Sequence, residues 1–565
     1  MTRTWAALFA AAAIWIAALT QRGLPVAVDE VEFFRATKWV GQGLVPFRDF
    51  WEHHLPLQWI IFAPLARLFA NGPGVEAIVV MRWAQMAMWV AIVALLVRLM
   101  RRISLDPWTA LVLLLVSASF VRKAIEYRVD VPGNLAYLGG VALIASGTRD
   151  ARRWIGFGAL MSVAVLANMR LAPLAIVTAG LGLFLGEDRW RWNPRALWMM
   201  AGLVPVAAAF AGWLSVTRAW PAFIDGVFRY NETSARLLEV DTFFDALLMP
   251  LWTLDVGGIA YLLAAVAGVA LAIRKRGPLQ FVALLAIASV ATIALMEVQY
   301  DYHFQNAWLL MLPLVALAIS RARVLIPVIV ATGALGIALI QTLPSFGDAM
   351  AYQDAVMTTA DRLTKPDETV FDGGGFALRR EPAYRYWFLT TGVRFMAARG
   401  LIAPYTMSPP PAAIIYDYRL ALYLRDFPRV AEYATTHYVP VYRNLWVPGM
   451  AAVVSGRTAW IAPRAGAYDV WASDALLTHP WLTKPLEYAA IDGPLATRYV
   501  IPLAQLPPRA VALTVDGVSQ RPGIRTLQLR RGARVEVASA RRTGILLVPS
   551  GIGALCIASA EEKVF

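Results

Sequence analysis

The sequence predicts a polytopic α-helical membrane protein with a water-exposed C-terminal region. Of its 565 residues, 59% are hydrophobic and only 16% are charged, whereas soluble globular chains are about half apolar and about a quarter charged. The apolar excess lies in residues 1–341, which contain long uncharged runs such as 257–273 and 324–340. Residues 342–565 resemble an ordinary soluble sequence, so the two regions need separate predictions.

About eleven apolar runs are predicted to cross the membrane, since a helix needs roughly 20 residues to span a hydrocarbon core of about 30 Å. These runs are 4–20, 77–97, 107–121, 131–147, 154–168, 171–186, 196–215, 250–273, 279–296, 304–320 and 324–341. The first run could also be a signal peptide, but we favour an uncleaved helix because a multispanning region follows it.

Clusters of basic residues predict the orientation of these helices. Each cluster follows an even-numbered run, and positive loops remain in the cytoplasm. The clusters are Arg98/Arg101/Arg102, Arg149/Arg152/Arg153, Arg189/Arg191/Arg195, Arg274/Lys275/Arg276 and Arg321/Arg323. The N-terminus is therefore predicted to be cytoplasmic and residues 342–565 to lie outside the cytoplasm. The formal charge of +14 is explained by these topology signals at an anionic membrane surface, so nucleic acid is not an expected partner.

The apolar segment 55–70 does not fit a membrane span. It is short and contains Pro56 and Pro64, and a crossing there would reverse every later basic cluster. We expect a helix that lies at the outer membrane surface or dips into it. The first outer loop is then long, about 21–76. The single cysteine, Cys556, excludes an intrachain disulfide.

Polar and charged residues gather at the outer ends of the predicted helices. Ionisable groups at membrane depth are costly and usually face a cavity or a partner, which predicts one shared, water-filled pocket. The residues are Asp29, Glu30, Arg35, Lys38, Glu52, His53 and His54 in the first loop, then Glu126, Arg128, Asp130, Asn168, Arg170, Arg229, Tyr230, Asn231, Tyr300, Tyr302 and His303.

Each of these residues also has a structural interpretation. Asp29 could be the N-cap of a surface helix, with Glu32 three residues later. The segment 126–130 could form a solvated ion-pair cluster, and His303 could be an interfacial histidine. His53 and His54 with Glu52 could suggest a metal site, but adjacent histidines lack helical ligand spacing.

In this order, these residues resemble the GT-C class of membrane glycosyltransferases. The closest likeness is to the protein O-mannosyltransferase and lipid A aminoarabinose transferase branch, similar to glycosyltransferase family 39. The resemblance covers roughly 1–320. It rests on Asp29-Glu30, on Gly43, Pro46, Phe47 and Asp49, on His54-Leu55-Pro56-Leu57, on Arg128 and Asp130, on Tyr230-Asn231, and on Tyr302-His303.

Two departures concern the donor head group. The family often has Pro-Pro where this chain has Leu55-Pro56, and many relatives have a lysine near the position of Arg170.

The resemblance implies inverting transfer of a sugar from a polyprenyl phosphate to a glycan, lipid or protein acceptor. The catalytic residues would be Asp29, as the base, and Glu30. The leaving phosphate would be stabilised by cations, namely Arg128, Arg170 and Arg229 with Arg35 and Lys38. The remaining donor-site residues would be His54, Glu126, Asp130, Tyr230, Tyr302 and His303. Glu30, Glu126 and Asp130 could also hold the arginines or bind sugar hydroxyls.

Neither a metal nor another cofactor is expected for this branch. The resemblance places the protein in the bacterial cytoplasmic membrane, with membrane lipid around it. Its active site and C-terminal domains would face the periplasm or exterior.

The C-terminal region is predicted to contain an α/β domain, 342–455, and a β-sandwich, 456–565. Alternating segments such as 466–471 and 534–537, with a turn at Asp516-Gly517, predict the sandwich. Gly373-Gly374-Gly375 is interpreted as a turn, because no phosphate-loop lysine follows it. The sandwich could bind carbohydrate or serve as a lid or scaffold.

Two other function classes remain open. A transporter or flippase of a lipid-linked substrate would also need polar groups at depth, but transporters often show internal repeats, and none is evident in the sequence. A non-catalytic assembly or sensor protein would have no reason to place an acidic pair beside the other polar loop ends. The transferase is therefore the favoured function.

Overall fold

The computed structural model describes residues 3–69, 72, 75–184, 194–238, 242–275, 277–296, 299–321, 325–342, 348–478 and 499–557. The chain forms two compact units, Met1–Ala351 and Tyr352–Phe565. Several residues that carry sequence predictions lie outside the described part. They are Arg189, Arg191, Arg276 and Arg323 of the basic clusters, and 479–498 and 558–565 of the predicted sandwich.

The first unit is helical. Its α-helices are α1 (Arg3–Ala18), α2 (Val28–Gly41), α3 (Leu57–Phe69), α4 (Glu76–Arg102), α5 (Trp108–Leu115), α6 (Ala118–Ile125), α7 (Asp130–Ile144), α8 (Ala151–Ala167), α9 (Ala172–Phe184), α10 (Pro194–Val216), α11 (Trp220–Phe223), α12 (Tyr230–Leu238), α13 (Phe243–Leu247), α14 (Met249–Trp252), α15 (Val256–Ala272), α16 (Pro278–Ala294), α17 (Gln305–Ile319) and α18 (Leu325–Thr342). Short π-helical or 3₁₀ segments, Leu19–Gly23, Met169–Leu171, Ile224–Arg229 and Asp301–Phe304, adjoin α1, α9, α11 and α17.

Several of these helices are apolar and long. Among the described residues, four meet the length and composition of a membrane span, and a bent pair raises the number to five. The four are Arg3–Gln21, Glu76–Arg102, Pro194–Val216 and Asp301–Ile319. Shorter apolar helices are Leu57–Phe69, Met169–Phe184, Val256–Ala272, Pro278–Ala294 and Ile326–Thr342. All eleven predicted runs contain helix, but how many of them cross the membrane stays a prediction.

The predicted span 107–121 is bent rather than straight. Helices α5 and α6 meet at an angle of 76°. At the bend, the Ser117 hydroxyl donates to Asp255 Oδ2 at 2.7 Å, and the Ser119 amide donates to the same oxygen at 2.9 Å. The carboxylate at the start of α15 thus satisfies backbone and side-chain donors that the break exposes. The bend carries the end of α6 toward the polar helix ends that form the site.

The second region contains the helices α19 (Asp348–Leu363), α20 (Thr391–Ala398), α21 (Tyr418–Asp426) and α22 (Pro428–His437). Its strands are β1 (Thr369–Asp372), β2 (Glu381–Pro382), β3 (Ala413–Ile415), β4 (Tyr438–Arg443), β5 (Leu445–Pro448), β6 (Met450–Ile461), β7 (Gly466–Ser473), β8 (Tyr499–Pro502), β9 (Ala512–Val515), β10 (Val518–Ser519), β11 (Thr526–Leu529), β12 (Arg534–Pro549) and β13 (Ala554–Ile557).

These strands form two sheets. A mixed seven-stranded sheet has the order β2-β1-β3-β5-β4-β13-β8. An antiparallel sheet has the order β10-β9-β12-β7-β11, and β6 also pairs with the long strand β12. The late strands β8 and β13 lie in the first sheet, so the chain passes back from one sheet to the other. The predicted domain boundary at 455/456 stays a prediction.

The glycine run after β1 forms a bend, as the sequence predicts. The amides of Gly373 and Gly374 donate to Asp417 Oδ2 at 2.7 and 2.8 Å. The amide of Gly375 donates to Asp372 Oδ1 at 2.9 Å. Because carboxylates already occupy these amides, the run is not a cradle for phosphate.

Candidate active site

The first turn of α2 positions the predicted acidic pair. The helix begins at Val28, and its N-cap residue is Ala27. The Glu30 carboxylate accepts a hydrogen bond from the Ala27 amide at 3.0 Å, which supplies the acidic half of a capping box. The N-cap hypothesis for Asp29 is therefore wrong, because Asp29 is already inside the helix.

Glu30 is a fully buried residue that joins three segments. Arg82 of α4 donates to its two carboxylate oxygens at 2.7 and 2.5 Å, and the Tyr127 amide donates at 2.8 Å. Arg82 also donates to the carbonyls of Leu24 and Pro25, at 3.1 and 2.9 Å. These bonds occupy both carboxylate oxygens of Glu30 and hold the first turn of α2, and the catalytic role of Glu30 stays a prediction.

Arg128 lies among three carboxylates. Its Nη1 donates to Asp29 Oδ2 at 2.9 Å and to Glu126 Oε2 at 3.0 Å, and its Nε donates to Asp130 Oδ2 at 3.1 Å. Asn168 donates to the other oxygen of Asp130 at 2.8 Å. Arg128, Asp130 and Glu126 have side chains that are 3%, 6% and 11% exposed, whereas Asp29 is 26% exposed. Asp29 is thus the most accessible carboxylate of the three.

Two further cations, Arg170 and Lys123, lie with Arg128 near the ring of Tyr302. The guanidinium carbons of Arg128 and Arg170 lie 3.7 and 5.6 Å from the ring centroid, and Lys123 Nζ lies 5.9 Å from it. Lys123 also donates to Glu126 Oε1 at 2.9 Å. We call Asp29, Lys123, Glu126, Arg128, Asp130, Arg170 and Tyr302 the Arg128 cluster. It brings together three carboxylates and three cations. This arrangement suits an anionic ligand that accepts hydrogen bonds from the cations in place of the carboxylates.

A narrow cavity adjoins this cluster. It has a volume of about 30 Å³, and its lining includes Asp130, Arg170, Tyr302 and His303. Neutral polar side chains also line it, namely Asn134, Asn168, Ser289, Thr292, Gln305 and Asn306, and apolar side chains, Leu171, Leu174, Ile293 and Met296, complete the lining. His303 Nδ1 accepts from the Tyr300 amide at 3.3 Å, and its ring packs edge-on against Tyr302 with centroids 4.6 Å apart. His303 therefore lies with Arg170 at the wall of this cavity.

The loop between α2 and α3 forms a second polar group, which we call the His-Glu cluster: Glu32, Glu52, His53 and His54. The Nδ1 atom of His54 lies 3.1 Å from Glu52 Oε1 and 3.6 Å from Glu32 Oε1. The Nδ1 atom of His53 lies 3.5 and 3.4 Å from the same two oxygens. Burial raises the pKa of Glu52 to about 7 and lowers that of His54 to about 3. The His54 imidazole is thus neutral at pH 7.

The predicted Tyr-Asn pair contacts this loop. The Tyr230 ring packs against Trp51 and His53, with centroids 5.0 and 5.1 Å apart. Asn231 Nδ2 donates to the His53 carbonyl at 3.0 Å. One turn earlier, a Cβ on Gly226 would overlap the Glu52 carbonyl oxygen, so only glycine fits there without displacing the loop.

The three remaining predicted cations are Arg229, Arg35 and Lys38. Arg229 has a side chain that is 74% exposed, with Asp225 at 3.9 Å. Arg35 is buried, and its guanidinium lies 5.3 Å from the Trp39 ring. Lys38 is half-buried in the last turn of α2. With a rise of about 1.5 Å per residue, it lies roughly 14 Å along the helix from Asp29. The roles of these three residues stay predictions.

The fold of the chain is similar to that of solved structures. ArnT from Cupriavidus metallidurans in the apo state matches with a TM-score of 0.53 and 15% identity, over 78% of this chain and 97% of that chain. The same protein bound to undecaprenyl phosphate matches with a TM-score of 0.55 and 14% identity, over 79% and 98%. The Archaeoglobus fulgidus oligosaccharyltransferase tethered with an acceptor peptide has a TM-score of 0.40 and 12% identity, over 78% and 72%, which is too distant to support an inference.

No protein-family model matches the sequence, and no curated protein matches it significantly. The structural likeness confirms the predicted GT-C resemblance at the level of the fold. With its several apolar helices, the chain is a multi-pass membrane protein.

Proposed function

We propose that this protein is an inverting glycosyltransferase that moves a sugar from a polyprenyl phosphate to an acceptor. The acceptor is a glycan, a lipid or a protein at the outer face of the bacterial cytoplasmic membrane. The Arg128 cluster carries this proposal, because it joins an accessible carboxylate to several cations at one polar end of an apolar helical bundle. The GT-C fold and the undecaprenyl phosphate bound to ArnT support the same class of reaction.

The cations of the cluster suit the leaving group. As the bond from the anomeric carbon to the phosphate oxygen breaks, negative charge grows on the lipid phosphate, and preorganised cations stabilise it most where water is excluded. Arg128 and Arg170 lie on the face of Tyr302, with Lys123 nearby. In the proposed complex the phosphate accepts hydrogen bonds from these residues in place of some of the carboxylates.

Asp29 suits the base. In a single displacement, a carboxylate takes the proton of the acceptor hydroxyl as its oxygen attacks the anomeric carbon. Asp29 is paired with Arg128 at 2.9 Å, which positions its side chain beside the position proposed for the phosphate. Its greater exposure leaves it within reach of an acceptor. One base is sufficient for this reaction, unlike the carboxylate pair of a glycosidase.

The other residues of the site then have supporting roles. Glu126 and Asp130 orient Arg128, and Glu30 with Arg82 fixes the helix turn that carries Asp29. The neutral polar side chains of the adjoining cavity, with His303, are proposed to bind sugar hydroxyls. The reaction itself needs no metal or organic cofactor.

The test uses purified protein in lipid nanodiscs with undecaprenyl phosphate sugars that are radiolabelled in the sugar. Membrane extract serves as the acceptor. We expect label to move to acceptor material and unlabelled lipid phosphate to be released. Movement of the intact labelled lipid across a proteoliposome membrane, without sugar transfer, would instead identify a transporter.

The matched control for the site is Asp150→Asn. Asp150 is an exposed N-cap that accepts from the Arg152 amide at 2.9 Å at the start of α8. Asparagine is nearly as good an N-cap as aspartate. This variant should transfer sugar at the wild-type rate, whereas Asp29→Asn should not.

A further inference from the structure

Each residue of the His-Glu cluster offers one donor atom, which makes two imidazole nitrogens and two carboxylate oxygens. These four donor atoms lie within 4.8 Å of one another. Four of the distances between them, from a histidine Nδ1 to a glutamate oxygen, are 3.1, 3.4, 3.5 and 3.6 Å. In a tetrahedral site with metal–ligand bonds of about 2.0–2.2 Å, neighbouring donor atoms are separated by about 3.3–3.6 Å. Three of the four distances fall in this range, and the fourth, from His54 Nδ1 to Glu52 Oε1, is slightly shorter at 3.1 Å.

Hydrogen bonds account for part of this cluster, since Glu52 Oε1 accepts from the amides of His53 and His54 at 2.8 and 3.2 Å and lies 3.1 Å from His54 Nδ1. They do not account for all of its polar atoms. Glu52 Oε2 and His53 Nδ1 are buried and, among the described residues, make no hydrogen bond. Two carboxylate oxygens approach the His53 nitrogen at ion-pair distance without the alignment of a hydrogen bond. Buried polar atoms usually have a partner, and a cation between the four side chains would supply one.

We propose that a divalent metal ion of the zinc class binds in the loop that follows α2. Its ligands are Glu32, Glu52, His53 and His54. A donor set of two nitrogens and two oxygens suits zinc and similar transition metals, whereas magnesium and calcium prefer six or more oxygens. The inference does not depend on the proposed sugar transfer. It differs from the sequence expectation of no metal, which rested on the family resemblance, while the missing helical spacing of His53 and His54 made their own signal weak.

The position of the site assigns it a structural role. Four protein ligands complete a tetrahedral zinc site and leave no open position for catalysis. The ion joins the middle of α2, through Glu32, to the loop at residues 52–54. Contacts around the ligands hold the same loop, since Asn231 binds the His53 carbonyl and Trp51 stacks on His53 with centroids 5.1 Å apart. Such supporting contacts orient metal ligands.

The site also adjoins the Arg128 cluster. The Phe33 ring lies between them, with its centroid 5.1 Å from that of His54 and 5.8 Å from the guanidinium carbon of Arg128. A dication there neutralises the buried carboxylates of Glu32 and Glu52. It also fixes the position of His54, on which the Phe33 ring beside Arg128 packs.

The experiment measures metal content in the full-length protein, purified without a histidine tag and incubated with zinc chloride. After a wash with a weak chelator, the wild type should retain about one zinc ion per chain. His53→Asn and His54→Asn keep a polar atom near the position of Nδ1 but replace the imidazole, so each should lose that ion. His437→Asn, which removes a histidine outside the cluster, should keep it.

A second measurement needs no variant. Cobalt(II) replaces zinc in tetrahedral sites and gives intense visible absorption there. The wild-type protein should show these bands after cobalt addition and lose them when zinc is added. Absence of the bands would overturn the proposal, as would wild-type zinc content in both His53→Asn and His54→Asn. Neither readout involves sugar transfer, so failure here leaves the proposed enzyme intact.

Discussion

Asp29→Asn separates the chemical role of this residue from its structural contacts. Asparagine keeps the size of the side chain but cannot accept the proton of an acceptor hydroxyl. General base catalysis contributes about 10²–10⁴-fold, so turnover should fall by that factor. At 1.36 kcal/mol for each factor of ten, this is roughly 3–5 kcal/mol of barrier.

The structural cost of the same substitution is much smaller. Asp29 is 26% exposed and pairs with Arg128 at 2.9 Å, and partly exposed ion pairs contribute about 0.2–1 kcal/mol. Loss of an anion from the first helix turn adds about 0.3–1 kcal/mol. Ala27 is the N-cap, so no cap is lost. Protein yield and thermal unfolding should therefore change little.

The assay is transfer of labelled sugar in nanodiscs, read as kcat at saturating donor, together with donor binding. Asp29→Asn should bind donor and unfold near the wild-type temperature while turning over at least about 10²-fold more slowly. Asp150→Asn is the control for removal of one carboxylate from a helix start. Turnover of Asp29→Asn within about twofold of the wild type would refute the assignment of the base. The carboxylate would then contribute far less than the roughly 10²-fold rate increase expected of a general base.

Three other predictions concern donor binding, folding and topology. Arg128→Ala should weaken donor use more than Arg128→Lys, which keeps the charge but loses the guanidinium fork; wild-type activity in both would remove Arg128 from the site. Arg82→Met should lower the free energy of unfolding by about 3–5 kcal/mol, since it leaves Glu30 buried without its partner, and adding Glu30→Gln should restore part of the loss. Glu30→Gln alone should impair transfer less than loss of the base does. Unchanged thermal unfolding of Arg82→Met would contradict this account. A reporter active only outside the cytoplasm should work when fused after Met450 and fail after Lys275; the opposite pattern would overturn the predicted helix count.

The helices were predictable from the sequence because apolar runs and their basic flanks are local signals. The break between α5 and α6 was not, since it depends on Asp255, which is more than 130 residues away from Ser117 along the chain. A serine within an apolar run does not by itself indicate a helix break. The break becomes evident only when the Asp255 carboxylate is seen to bind Ser117. The uncharged run therefore predicted one straight span.

The site was predicted in part. The proximity of Asp29, Arg128 and Asp130 followed from their positions at polar helix ends. Arg82 was missed because it lies within an apolar run, although a buried arginine in such a run requires a partner. That signal could have identified its pairing with Glu30. The cap was predicted two residues late, because the N-cap is Ala27 rather than Asp29 and the capping carboxylate is that of Glu30 rather than Glu32. Alanine is a poor N-cap residue, so the sequence contained no signal for it.

The proposed metal ligands were the hardest part to predict. Adjacent histidines cannot present both rings on one face of a helix, and that argument discounted His53 and His54. In the structure they lie in an extended loop, where successive side chains can converge on Glu32 from the preceding helix. The spacing argument assumes a helix, and residues 52–54 of the described chain are not helical.

Gly226 sets the depth at which the first loop lies. The Glu52 carbonyl oxygen occupies the space that a Cβ at position 226 would need. The Asn231 side chain donates a hydrogen bond to the next carbonyl of the same loop, that of His53. An alanine at position 226 would displace the loop from its present position. The side chains of Glu52, His53 and His54 would then move together, away from α2. The position of the first loop therefore depends on the absence of a side chain at Gly226. The segment that contains Gly226 contributes no charged group to the Arg128 cluster.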